Sequence, residues 1–139
     1  MTLRLAVLVT GSRNWTHKRV IDEALDSATW GNPPGTILIH GDCGETDECG
    51  RVTRGADWIA AEIGRACDWY EIAMPAQWDR DGKSAGPKRN AAMVRVLSAL
   101  RDCGYECVVL AFPLGESRGT RNCVELARKA GFEVRVIEP

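Results

Sequence analysis

Leu5-Ala-Val-Leu-Val-Thr-Gly-Ser-Arg13 is the stretch that decides the fold. Its first five residues are all apolar, so a strand formed here offers neither face to water. Such a strand belongs in the middle of a parallel sheet that is covered on both sides. The strand is read over Leu3 to Thr10. The apolar spacing then switches to the helical period over His17 to Ala28, where Val20, Ile21, Ala24, Leu25 and Ala28 share one face. Gly31-Asn-Pro-Pro-Gly35 breaks the chain. A second short buried strand, Thr36 to His40, is followed by a helix from Arg54 to Ala66 with Ile59, Ile63 and Ala66 inward. A strand from Asp68 to Ala73 comes next, then a helix from Pro87 to Leu100 whose apolar stripe is Met93, Val94, Leu97 and Leu100. Glu106 to Phe112 reads as a strand, Gly119 to Ala130 as a helix stopped by Gly131, and Glu133 to Ile137 as the last strand. Strands alternating with helices, joined by right-handed crossovers, predict an α/β fold. The expectation is a single Rossmann-like three-layer domain over 1–139, with a five-stranded parallel sheet in the order 3-2-1-4-5.

Composition agrees with one globular domain. The chain has 139 residues, 45% hydrophobic and 27% charged, and a formal net charge of −1 from 18 basic and 19 acidic residues. That balance argues against a strongly basic nucleic-acid binder, so a nucleic-acid partner is not expected. No apolar run approaches the ~18 residues of a membrane span. The segment from Met1 to Thr10 is too short and too alternating for a secretory leader. Six cysteines, Cys43, Cys49, Cys67, Cys103, Cys107 and Cys123, carry no sign of a secreted disulfide framework, and reduced thiols in the cytoplasm are expected. Cys107 and Cys123 fall in a strand and a helix and read as small core residues.

In a sheet of this order the ligand crevice opens at the carboxyl ends of the first and fourth strands, where the order reverses. The residues there are Thr10-Gly-Ser-Arg13 and Phe112-Pro-Leu-Gly-Glu-Ser-Arg-Gly-Thr120. Gly11, Gly115 and Gly119 let backbone approach a ligand closely, and Ser12 and Ser117 add hydroxyls. The start of the last helix, at Gly119 and Thr120, presents free N–H groups to an anion, and Arg13, Arg118 and Arg121 can add charge-assisted bonds. These loops read either as a phosphate site or as ordinary connections. Asp57, at the start of a helix, reads either as an acceptor for a ribose hydroxyl or as a helix-terminal acid. His40, Cys43 and Cys49 have an H-x2-C-x5-C spacing that lacks a paired half and a fourth ligand, so no metal is expected. Gly82-Lys83-Ser84 looks like the end of a Walker A loop, but the required first glycine would fall at Gln77 and no strand leads into it. Trp78 either stacks on a base or closes the core beneath its loop. Arg89 and Asn90 sit in a first helical turn, within reach of the crevice.

Together these segments resemble the SLOG superfamily, which includes the SMF/DprA and lonely-guy proteins, and within it the small YspA-like branch. The matching pieces are Thr10-Gly-Ser-Arg13, His40-Gly41, Arg54-Gly-Ala-Asp57 followed by Ala60, Pro75 with Trp78, Gly82-Lys83, Ala85-Gly-Pro87, Arg89-Asn90 with Met93, and Ala111-Phe112 leading to Gly119-Thr120. They occur in family order over nearly the whole chain. The resemblance implies a Rossmann-like fold that binds nucleotides or nucleotide-derived ligands, as many members do in bacterial and phage conflict systems. Two departures stand out. The branch runs almost directly from His-Gly to Arg-Gly-Ala-Asp, whereas Asp42 to Thr53 here forms an acidic insertion. The lonely-guy enzymes carry a glutamate in their Gly-Thr-x-x-Glu segment, whereas Gly119-Thr120 here leads to Cys123. Without that carboxylate beside an oxocarbenium-like transition state, binding without hydrolysis is expected; Glu116, Glu125 and Asp57 are possible substitutes.

The leading expectation is therefore a sensor, carrier or sequestering protein for a nucleotide or an ADP-ribose-like ligand. Its ligand-binding residues would be Gly11, Ser12, Arg13, Gly41, Arg54, Asp57, Trp78, Lys83, Arg89, Asn90, Gly115, Ser117, Gly119 and Thr120. A nucleotide N-glycosidase using Arg89 is the alternative, and single-stranded DNA binding through Trp15, Trp30, Trp58, Trp69 and Trp78 is a third. No cofactor is expected, and a homodimer is the favoured assembly. The Ala-, Gly- and Arg-rich composition suits an actinobacterium or its phage.

Overall fold

The computed structural model describes residues 3–139; Met1 and Thr2, where the segment read for a leader begins, lie outside the described residues. Every residue of β1 (Leu5–Gly11) up to Thr10 is buried. The reason is its position, with a parallel neighbour on each side. β2 (Ile37–His40) pairs from Ala6 opposite Ile37 to Val9 opposite His40. β6 (Glu106–Phe112) pairs from Leu5 opposite Glu106 to Gly11 opposite Phe112. Beyond them lie β5 (Tyr70–Ala73), against β2, and β7 (Val134–Val136), against β6. The sheet order is thus β5-β2-β1-β6-β7. Counted over the parallel strands alone, this is the order 3-2-1-4-5.

The labels differ because a hairpin lies between β2 and the next helix. Its strands, β3 (Glu45–Thr46) and β4 (Val52–Arg54), pair antiparallel and form a separate two-stranded sheet. The sequence reading treats this insertion as loop and starts the helix at Arg54. The helix α2 (Ala56–Ala66) begins two residues later, because Arg54 sits opposite Glu45 in the hairpin. Gly55 makes the corner at φ +107°, a conformation that strains any residue with a Cβ. Its N–H bonds to Trp15 O at 2.8 Å.

Alternation along β1 sorts the core into two layers. Val7 and Val9 pack with Ile21 and Leu25 of α1 (Lys18–Thr29), with Ile59 and Ala60 of α2, and with Trp15 and Phe112. Ala6 and Leu8 face the other side. There they meet Met93, Val94 and Leu97 of α4 (Ala85–Asp102), and Cys123 and Ala127 of α5 (Arg118–Lys129). The long connection after β5 is not all loop. It contains α3 (Trp78–Asp81) and one 3-10 turn, Gly82–Ser84, that runs directly into α4. Among the described residues no helix is long and apolar enough to cross a membrane.

Trp15 forms the floor of the first layer beneath the β1 loop. It is fully buried, meets the Phe112 ring edge-on at a centroid distance of 5.4 Å, and donates its Nε1–H to His17 O at 3.0 Å. Buried Trp69 is likewise a core residue. The five tryptophans therefore form no common stacking platform. Trp30 and Trp78 are the exposed ones, and Trp30 lies at the opposite end of the strands, beside Leu5 and Glu106.

Candidate functional site

A cavity of about 450 Å³ opens at the carboxyl ends of β1 and β6. Thr10, Gly11, Ser12, Arg13 and Asn14 form one wall, and Leu114, Ser117, Gly119 and Thr120 form the facing wall. The volume is in the range of small-molecule sites, and the position is the switch point of the sheet. The first wall is clamped in place, since Ser12 N–H bonds to Phe112 O at 3.0 Å and Ser12 O accepts from Ala56 N–H at 3.1 Å.

The facing wall is a helix start. Ser117 holds the left-handed conformation at φ +41°. Its hydroxyl offsets that strain locally, accepting from Leu114 N–H at 2.7 Å and donating to Leu114 O at 2.6 Å. The first intrahelical bond is Arg121 N–H to Ser117 O at 2.9 Å. The N–H groups of Arg118, Gly119 and Thr120 precede it, and no hydrogen bond is formed by them among the described residues. They are the open donors at the positive end of a twelve-residue helix. Asn90 sets their position. Buried on α4, it donates through Nδ2 to Gly119 O and to Asn122 Oδ1, each at 3.0 Å. Its Oδ1 accepts from Arg89 Nε at 2.9 Å. Asn90 thus braces the site, with its polar atoms already engaged by the protein.

The floor between the walls is electrostatic. Arg89 crosses from α4 to the ends of β2 and β5, donating from Nη1 to Gly41 O at 2.6 Å and to Met74 O at 3.4 Å. A Cβ at Gly41 would overlap the Arg89 guanidinium, so glycine is required there for this approach. Asp57, in the first turn of α2, is 4% exposed. Its Oδ2 accepts from Cys43 N–H at 3.3 Å, while its Oδ1 is buried without a partner. Burial pushes its carboxyl up to about 6, against the opposing pull of His40, Arg89 and the Cys43 and Gly41 N–H groups. Asp57 lines the cavity, which makes its carboxylate the acceptor that this wall offers to a ligand hydroxyl or amine.

Eleven of the fourteen residues expected at the site line this cavity: Gly11, Ser12, Arg13, Gly41, Asp57, Trp78, Arg89, Asn90, Ser117, Gly119 and Thr120. Arg54, Lys83 and Gly115 do not. Arg54 is turned into the hairpin, where it pairs with Glu45. Lys83 is exposed on the 3-10 turn, and Gly115 supplies a loop carbonyl to Arg121 Nη2 at 3.1 Å. Arg118 and Arg121 also point elsewhere: Arg118 lies 3.8 Å from Glu116, and Arg121 ties down its own loop. The cavity further includes Thr10, Asn14, Cys43, Gly86, Met93 and Leu114. From the sequence Cys43 reads as a metal-ligand candidate and Met93 as a core and motif residue; their place in the cavity lining is a three-dimensional property. Among the described residues no three His, Cys, Asp or Glu side chains cluster for a metal. His40 has both ring nitrogens engaged, Nδ1 accepting from Asp42 N–H at 2.9 Å and Nε2 donating to Glu71 at 2.6 Å.

Cys123, at the position of the lonely-guy glutamate, is buried in the second core layer rather than in the cavity wall. Burial pushes its thiol up to about 11. Iodoacetamide at pH 8 is therefore expected to label exposed Cys49 and Cys103 in the folded protein, and Cys123 only in denaturant. Peptide mass spectrometry reads this directly, and native labelling of Cys123 at the rate of Cys49 would contradict its placement.

No protein-family model matches the chain. Its sequence is 37% identical over 133 residues to the Gene 61 protein of Mycobacterium phage D29, covering 92% of each chain. The chain belongs to the family of that phage protein. This kinship supports a phage origin, in line with the composition.

Proposed function

We propose that this protein binds a phosphorylated nucleoside or a nucleotide-derived ligand at the β1–β6 crevice, as a sensor, carrier or sequestering protein. The observation that carries the reading is the pairing of opposite needs across one cavity. Open N–H donors at the start of α5 call for an anion, and the Asp57 carboxylate in the lining of the same cavity is an acceptor for a ligand donor. A ribose phosphate supplies both, with the phosphate at Gly119 and Thr120 and a sugar hydroxyl on Asp57. Arg13 and Arg89 add positive charge. The SLOG resemblance of the sequence points to the same ligand class, and we place the family within that superfamily on this reading.

Calorimetric titration tests it. Nucleoside 5′-phosphates are expected to bind, and the matching unphosphorylated nucleosides and 2′,3′-dideoxy nucleotides to bind at least about tenfold more weakly, each losing a charge-assisted or sugar contact. Equal affinity for nucleoside and nucleotide would overturn the assignment.

One observation supports a second reading, base release from a nucleotide. Of the three candidate acids, Glu125 pairs with Lys129 at 3.2 Å and the Glu116 side chain is 87% exposed, whereas Asp57 lines the cavity. Chromatography of nucleotide incubated with the protein separates the two readings: intact nucleotide supports the binder, and free base supports the hydrolase.

A further inference from the structure

A second cavity of about 240 Å³ adjoins the first, lined by Arg13, Asp42, Cys43, Gly44, Glu45 and Trp78. Arg13, Cys43 and Trp78 belong to both, so the two form one continuous groove. Asp42, Gly44 and Glu45 come from the hairpin insertion that separates this sequence from the branch it resembles. The compartment is braced. Asp42 Oδ1 accepts from Trp58 Nε1 at 2.8 Å, and Glu45 Oε1 pairs with Arg54. A Cβ at Gly44 would collide with the Trp58 ring, which keeps the hairpin backbone close against α2. Each carboxylate is thus oriented through one oxygen, while Asp42 Oδ2 and Glu45 Oε2 have no hydrogen bond among the described residues. In the same lining Trp78 is 52% exposed, and Arg13 makes no ion pair among the described residues.

We propose that this compartment is a nucleobase subsite that takes guanine. The inference rests on the nucleotide reading of the adjoining cavity and names the base. An aromatic face that stays exposed while edging a cavity is a stacking surface for a planar ring. Carboxylate oxygens accept only, so they select a base edge that presents donors. Guanine offers two adjacent donors, N1–H and the 2-amino group, and its O6 and N7 are the acceptors an arginine reads. Adenine places a bare N1 where guanine has N1–H, and hypoxanthine lacks the 2-amino group. With phosphate on the α5 start and sugar at Asp57, the base extends past Cys43 into the hairpin compartment.

The test titrates GMP, IMP, AMP and ribose 5-phosphate calorimetrically into the full chain, into the double variant Asp42→Asn/Glu45→Gln and into Trp78→Ala. Both acids and Trp78 are at the surface, and circular dichroism checks the fold of each variant. GMP is expected to bind about tenfold tighter than IMP, the factor for one hydrogen bond to a charged group, with AMP weaker still. In the double variant the GMP-to-IMP ratio is expected to fall to about one, with ribose 5-phosphate unchanged. Trp78→Ala is expected to weaken GMP and IMP alike and to spare ribose 5-phosphate. Equal binding of the three nucleotides, or AMP binding tightest, overturns the guanine subsite; if ribose 5-phosphate still binds, the reading of the main cavity stands. Binding of none of the four overturns both.

Discussion

Asp57→Asn is expected to raise stability at neutral pH and at the same time to weaken ligand binding. The carboxyl is held at about 6 in the fold, against 3.8 for an ordinary aspartate, because burial outweighs the opposing pull of His40, Arg89 and the neighbouring N–H groups. Below both values the group is protonated whether the chain is folded or not, and its contribution is fully present. As pH rises, the unfolded chain ionises first and the folded chain keeps its proton until about pH 6, so stability falls through that window. The loss is on the order of 3 kcal/mol once the pH is above both values. Asparagine cannot ionise, so the variant should lack this fall and exceed the wild type at pH 7.5. Glu71 acts in another window and in the opposite sense. Burial raises its carboxyl, but hydrogen bonds from His40 and Arg65 outweigh that and hold it below the usual range. Its contribution is present above the unfolded value and lost as pH falls below it. Urea unfolding of both proteins between pH 4.5 and 7.5 isolates the Asp57 effect. Parallel pH slopes would show that Asp57 is not the source.

The second large effect is at Arg89. Arg89→Ala removes the guanidinium that links Gly41 O, Met74 O and Asn90 Oδ1 while lining the cavity. One side chain thus fixes the ends of β2 and β5, the brace behind the α5 start, and a charge for the ligand. The expected loss of affinity for a nucleoside monophosphate is about 100-fold, at the upper end for charged hydrogen bonds because the brace goes too. Arg89→Lys should recover only a small part, since an ammonium cannot reproduce the planar fork across three acceptors. Calorimetry with a parallel thermal melt separates lost affinity from lost fold. Unchanged affinity in a folded alanine variant would remove Arg89 from the site.

The parallel core of the fold was legible because it rests on local patterning. The apolar run from Leu5 to Val9 has one stable home, and Gly31-Asn-Pro-Pro-Gly35 and Gly131 stop their helices by backbone chemistry alone. The switch point then followed from topology, which brought Arg13 and Gly119 to one cavity. The hairpin was not legible, because Glu45–Thr46 and Val52–Arg54 are polar strands too short to show a period. Its presence moved Arg54 from the site to a surface pair. Arg118 and Arg121 misled for a different reason: charge at a helix start says nothing of where a long side chain points, and loop carbonyls captured Arg121. Asp57 remained ambiguous in the sequence, since its burial in the cavity wall is a three-dimensional property.

The central claim is that a nucleotide phosphate sits on the α5 start with its sugar at Asp57, and mapping backbone amide chemical shifts during a nucleoside monophosphate titration tests it most directly. The account predicts saturable shifts at Gly119 and Thr120, at Ser12 and Arg13, and at Gly41 and Cys43. Absence of saturable shifts, or shifts confined to the separate groove around Val124, Arg128 and Val136, would contradict it.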